Sequence, residues 1–329
     1  MPTFFGTSTE LSGFNPNCDW FAKAKYGIST SYQYFNVNNT ERIYSQGKYT
    51  DWDTCVKEFD VERYAKTLAD MGAGYALFVL YSCEEYICVP SHLYDSLLGA
   101  KPGAFSATRD LAMELADALE KYNIPLMLYI TADGPWKNAE VMTKLCDAPF
   151  PANPSEFKPH HWNATFKKNW FAIAREWSLR YGKRVAGWWV DGADPCKAYT
   201  DAELMLFREN LLAGNPDAIM CFNPGNDRLP PWRYSIADDF TAGESGDFDD
   251  YPEGRWVDGV QWHEISYVEA LEKRCERDGT DPATELGNYL NAVAAKQGVV
   301  TVDLRVFRDG SVLPQHVDIM KKVKAAVRG

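Results

Sequence analysis

The chain has 329 residues, of which 46% are hydrophobic, enough for a large core. No run of eighteen apolar residues occurs, so no segment reads as membrane-spanning. The formal net charge is -12, and there is no basic block of the kind a phosphate-backbone binder needs, so nucleic acid is disfavoured as a partner.

The eight cysteines include no CxxC pair of zinc-type spacing. Their even number, with the sequons Asn38-Asn39-Thr40 and Asn163-Ala164-Thr165, favours an oxidising, secretory route with disulfides and glycans. Buried free thiols are the alternative. The opening MPTFFGTSTE has neither the basic head nor the apolar stretch of a signal peptide, so a secreted protein would be represented by its mature form. Oligomeric state is not legible.

Strand and helix patterns alternate, which predicts a parallel sheet with crossover helices. Residues 25–31 read as the first strand. Residues 59–71 read as an amphipathic helix ended by Gly72, and 75–80 as a second strand. A helix over 106–122 could be capped by Ser106 or Thr108, and 125–130 is the third strand. A helix over 166–181 precedes the fourth strand, 185–190. A helix over 201–212 precedes the fifth, 218–222. Residues 234–237 and 258–263 are the expected sixth and seventh strands. A helix over 285–295, an eighth strand over 299–304 and a closing helix over 316–327 complete the series. The expected fold is a single-domain (β/α)8 barrel spanning residues 1–329, irregular around strands five and six, with no accessory β-sandwich.

Chemistry in such barrels sits at the C-terminal strand ends. There the sequence places Glu84 and Glu85 after strand two, Asp133 and Trp136 after strand three, and Asp191 and Asp194 after strand four. Asn223 and Asn226 follow strand five, Asp238, Asp239 and Glu244 strand six, and Glu264 strand seven. No Ser–His–acid set, Gly-rich phosphate cradle or metal-type His spacing accompanies them, and no cofactor or metal is expected. Paired carboxyls among aromatic residues suit glycoside hydrolysis, in which one carboxyl protonates the leaving oxygen and the other attacks carbon or activates water. Asp191 closes Gly187-Trp188-Trp189-Val190-Asp191-Gly192, an apolar strand with Trp beside it and a glycine behind. It is the candidate ionised partner.

These motifs resemble glycoside hydrolase family 29, the α-L-fucosidases. The resemblance runs through Lys25-Tyr26-Gly27-Ile28, Phe59-Asp60 to Gly72-Ala73, Tyr75-Ala76, Arg109-Asp110-Leu111, Trp189-Val190-Asp191-Gly192 and residues 298–315. It implies a retaining mechanism with Asp191 as nucleophile. Residues 239–244 are similar to the family segment that runs from an Asp-aromatic pair through a Thr to a Glu, which implies Glu244 as acid/base, with Glu264 in reserve. The chain departs from the family where recognition histidines are usual: Ser31-Tyr32-Gln33 and Ser82-Cys83-Glu84-Glu85-Tyr86 stand in their place. The expectation is therefore an exo-acting glycosidase with altered sugar specificity. Its glycoside or oligosaccharide would be lined by Tyr32, Gln33, Glu84, Glu85, Asp133, Trp136, Trp189, Asn223 and Trp262. A non-catalytic carbohydrate-binding barrel and an endo-acting enzyme or transglycosylase are the alternatives.

Overall fold

The structure, a computed structural model, describes residues 14–193, 199–225 and 231–329. Asp194, Cys196 and Asn226 lie outside the described residues.

Nine strands form among the described residues: β1 (Tyr26–Thr30), β2 (Ala76–Val79), β3 (Leu126–Thr131), β4 (Val185–Asp191), β5 (Ile219–Phe222), β6 (Trp256–Val257), β7 (Val260–Gln261), β8 (His263–Tyr267) and β9 (Val299–Leu304). Seven make one parallel sheet in the order β5-β4-β3-β2-β1-β9-β8. Helices connect most of these strands, as a parallel sheet requires. The strands are short apolar runs buried on both faces.

Side chains alternate between the two faces. On β4, Trp188 and Val190 join the large core shared with the helices, whereas Trp189 faces the opposite way. There it packs in a smaller core with Tyr75, Leu77, Met127, Ile219, Cys221, Phe240, Ile265 and Val299. Phe21, on the helix Asp19–Ala24, closes this inner core by packing on Tyr75, Phe240 and His263. Gly27 is required here, because a Cβ on it would stand 2.3 Å from the Tyr75 ring.

Two expected strands differ. Residues 234–237 form no strand. The Asp238 carboxylate accepts the N–H groups of Tyr234, Ser235 and Phe222, at 3.0, 2.6 and 2.8 Å, and so takes donors that a ladder would use. Residues 258–263 divide. Asp258 and Gly259, with φ of 50° and 80°, make a tight hairpin turn between β6 and β7, and the sheet strand is β8, further on.

The two edges of the sheet are joined by residues 239–244. Asp239 N–H donates to Met220 on β5, and Asp239 C=O accepts from Gln261. Thr241 N–H donates back to Gln261, and Gly243 C=O accepts from Ile265 on β8. No helix occurs among the described residues between β5 and β6, which matches the expected irregularity.

Helix boundaries follow their caps. The expected 106–122 helix begins at Leu111, capped by Asp110. Ser106 and Thr108 instead give their hydroxyls to Asp95 and Asp53. The helices His92–Leu98, Ala139–Cys146 and Val268–Asp278 were not anticipated.

The expected disulfides are corrected: all seven described cysteines are free, six of them buried. The sequon asparagines are used internally as well. Asn38 is buried and bonds Thr50 in both directions while accepting from Arg308. Asn163 caps the helix Ala164–Tyr181 and donates to Cys146. Among the described residues no helix is long and apolar enough to cross a membrane.

Candidate active site

Strand β4 ends by placing the half-buried Asp191 where the inner core opens to solvent. Gly192 follows with φ of 67°, and a Cβ there would stand 2.6 Å from the Asp133 carboxyl carbon. Glycine thus permits the turn and lets the β3 and β4 ends approach each other.

The Asp191 carboxylate accepts from the Tyr129 hydroxyl at 2.5 Å and from the Asn223 side-chain amide at 2.8 Å. The same Asn223 nitrogen donates to Glu244 at 2.7 Å. An amide nitrogen carries two protons, so it can serve both carboxyls. The two accepting oxygens therefore cannot lie farther apart than about 5.5 Å, the combined length of those bonds. The other Glu244 oxygen accepts from Tyr267.

Burial raises the Glu244 carboxyl above its ordinary range, and the Asp191 charge raises it further. The Tyr267 and Asn223 bonds act in the opposite direction. Tyr129 and Tyr267 are raised mainly by burial, then by the neighbouring carboxylates, and so remain protonated donors.

Below Asp191, Trp189 stacks on Tyr129 with ring centroids 5.2 Å apart. Its Nε1 is buried and has no hydrogen-bond partner. Across the sheet, Asp303 on β9 is only 4% exposed. Burial pushes its carboxyl up to about 7, against the lowering effects of Arg305 and Ser29. Arg305 stands 3.8 Å from Asp303 but 2.8 Å from Glu269.

Among the residues predicted from sequence, Asp191, Asn223, Glu244 and Trp189 come together. Gln33, Glu84, Glu85, Asp133 and Trp136 stand on the loops after β1, β2 and β3. Glu84 pairs with Lys137 at 3.0 Å, Gln33 donates to Ser82, and Trp136 packs edge-on against Phe157.

Three expected residues lie elsewhere. Tyr32 is buried among Trp52, Phe59 and Phe78 in the outer core, its hydroxyl directed to the Cys55 and Arg308 carbonyls. Trp262 is in the same outer core, close against Gly298. Glu264 faces the helix layer, where it accepts from Ser266 at 2.9 Å and Tyr289 at 2.7 Å, with burial pushing it to about 8.

Asp238 and Asp239 anchor the backbone. Asp238 collects N–H groups, and Asp239 takes a two-pronged bond from Arg208 at 2.6 and 3.0 Å. Tyr129, Tyr267 and Asp303 were missed in the sequence. Asp303 carried a signal, as the one acid in an otherwise uncharged, buried strand. No group of three metal-ligating side chains suited to a metal ion occurs among the described residues.

An α/β chain with a curled parallel sheet, and polar groups gathered at its strand ends, has the architecture of barrel enzymes that carry their sites there. No protein-family model matches the sequence, and no curated protein matches it either. Solved structures do match. The α-L-fucosidase AlfC from Lactobacillus casei, solved in complex with α-L-fucose product, superposes with a TM-score of 0.62 at 15% identity, covering 95% of this chain and 98% of its own. α-L-Fucosidase isoenzyme 1 from Paenibacillus thiaminolyticus gives 0.67 at 17% identity, covering 96% of this chain and 76% of its own. The endo-fucoidan hydrolase MfFcnA4 of glycoside hydrolase family 107 gives 0.61 at 16%, and this chain spans about half of it, 53%. The chain shares its fold with these enzymes, at low sequence identity.

Proposed function

We propose that this chain is a retaining glycoside hydrolase with Asp191 as nucleophile and Glu244 as acid/base, and that the described residues act as one catalytic domain. The observation that carries the reading is the shared Asn223 amide, which keeps one oxygen of Asp191 within about 5.5 Å of one oxygen of Glu244, too close to leave room between them for a water. Retaining enzymes space their carboxyls by about 5–5.5 Å, whereas inverting ones leave about 6.5–9.5 Å for a water.

The environments of the two groups differ in the sense the reaction needs. Tyr129 and Asn223 both donate to Asp191, which favours its ionised form. Glu244 is buried beside that charge and retains its proton to higher pH. Asp191 attacks the anomeric carbon as Glu244 protonates the departing oxygen. Once Asp191 is esterified its charge is gone, and Glu244 becomes a stronger acid, ionised and ready to take a proton from the incoming water.

The hydrogen bonds of residues 239–244 to both sheet edges support a (β/α)8 barrel in which this segment is the irregular sixth stave. The sugar differs from plain α-L-fucose, because no histidine stands in the loops after β1 and β2.

A panel of neutral 4-nitrophenyl glycosides, α-L-fucopyranoside included, tests the reading. The parent should hydrolyse at least one and release product of retained anomeric configuration by NMR. Asp191→Asn should lose about 10³-fold or more in kcat. Turnover at the parent's rate, or an inverted product, would overturn the assignment.

A further inference from the structure

Asp303 has no role in the carboxyl pair, yet it stands at the same strand ends, close enough to Glu244 for the two carboxyls to influence each other. In register it lies beside Tyr267 on β8 and Ser29 on β1. Neighbouring strands stand about 4.8 Å apart, and Tyr267 is the residue whose hydroxyl holds Glu244. Thr301, two residues earlier on β9 and therefore on the same face, reaches His263 and Tyr75 in the inner core. Asp303 is the next inward step toward the strand end.

Its partners are few for a buried carboxyl. A carboxylate offers about four acceptor positions. Here the stabilising neighbours are the Ser29 hydroxyl and Arg305, and the Arg305 nitrogen at 3.8 Å is beyond hydrogen-bond range. Arg305 is committed to Glu269, which also accepts from Tyr44. With Ser29 on it and Arg305 turned to Glu269, the carboxylate keeps acceptor positions that donors brought by a ligand can take.

We propose that Asp303 accepts a hydrogen bond from a hydroxyl of a neutral sugar ring and so determines which sugar this site takes. The inference rests on reading the opening as a sugar site, and it holds whether or not the bound glycoside is cleaved. The ionised Asp191 of that reading disfavours uronic or sulfated rings at this position by like-charge repulsion. A site built to bond one hydroxyl rejects an analogue lacking it strongly, because a buried acceptor is left without its donor.

The test is titration of free L-fucose, L-rhamnose, D-galactose and D-xylose, and of their mono-deoxy forms, followed by ligand-observed NMR. The proteins are the parent, Asp303→Asn and Asp303→Ser. For the sugar the parent binds best, both substitutions are expected to weaken affinity tenfold or more. The deoxy form lacking the recognised hydroxyl should bind parent and variants within twofold of one another.

Unchanged affinity, a uniform loss across every deoxy form, or no binding of any sugar by the parent would each overturn the proposal. So would loss of cooperative thermal unfolding in both variants, which would assign Asp303 to the fold. The two readings fail separately. Asp303-dependent binding without hydrolysis sinks only the hydrolase, and hydrolysis indifferent to Asp303 sinks only this inference.

Discussion

A single amide nitrogen, that of Asn223, donates to both Asp191 and Glu244, so its two protons hold two carboxyl groups at a fixed spacing. Asn223→Ala removes that clamp and leaves the carboxyls closer to direct repulsion. Steady-state kinetics should show kcat/KM lower by about 10²-fold, the usual effect of deleting one preorganised donor. Asp191→Asn, beyond its loss of rate, takes away one of the two influences that raise Glu244. The Glu244 carboxyl should then titrate at lower pH than in the parent, measured by ¹³C NMR of the side chain. The position of Asp191 was legible, because an acid that closes an apolar, Trp-containing strand stands at the strand end whatever its role. Tyr129 and Tyr267 were not, because a tyrosine within a strand looks the same whether its hydroxyl meets a strand-end carboxylate or a core carbonyl. Tyr32 illustrates the second case: it was expected to line the sugar site and instead spends its hydroxyl on the backbone of Cys55 and Arg308.

The element that carries Glu244 is residues 239–244, held without regular strand geometry. Its anchor is Asp239, whose carboxylate binds Arg208 and the Met220 N–H. Arg208→Met leaves that buried carboxylate without its cation, and equilibrium denaturation should show a loss of about 3 kcal/mol. The neighbouring strand β8 carries a different liability. Glu264 sits in the helix-facing layer and is pushed from 4.5 to about 8. Between those values the folded protein keeps a proton that the unfolded chain has lost. The stability this group contributes is therefore full below about 4.5 and is lost as pH rises through about 8. His263, held neutral down to about 4 by burial, has the opposite slope, its contribution being lost as pH falls from 6.5. The two are separated by Glu264→Gln: its Tm relative to the parent should rise steadily from about pH 5 to pH 8. A constant difference across that range would refute the assignment. The sequence placed Glu264 on a strand end but could not say which face it occupied, since one residue of register reverses every side chain. The Asp258-Gly259 hairpin supplied that shift.

For the whole molecule, the thiols are the most direct test. Seven cysteines are free and no two of them are joined. Alkylation of the denatured, unreduced protein should label at least seven of the eight, and reducing agent should leave Tm unchanged. A mass deficit of two or more labels would contradict the structure. An even cysteine count suggested pairing, yet a chain with a core this large does not depend on staples, and buried cysteines pack as small apolar groups.

The sequence by itself determined the alternation of strand and helix, the five strands from β1 to β5 and the last strand β9, and the place of Asp191. All of these follow from local apolar periodicity and strand-end position. Only the tertiary structure decided how the sheet edges are joined through residues 239–244, which of the candidate carboxyls meets Asp191, and which aromatic residues are core. Those outcomes depend on register, on the donors a backbone finds far away in the chain, and on the face to which each side chain turns. None of the three is encoded in a local pattern.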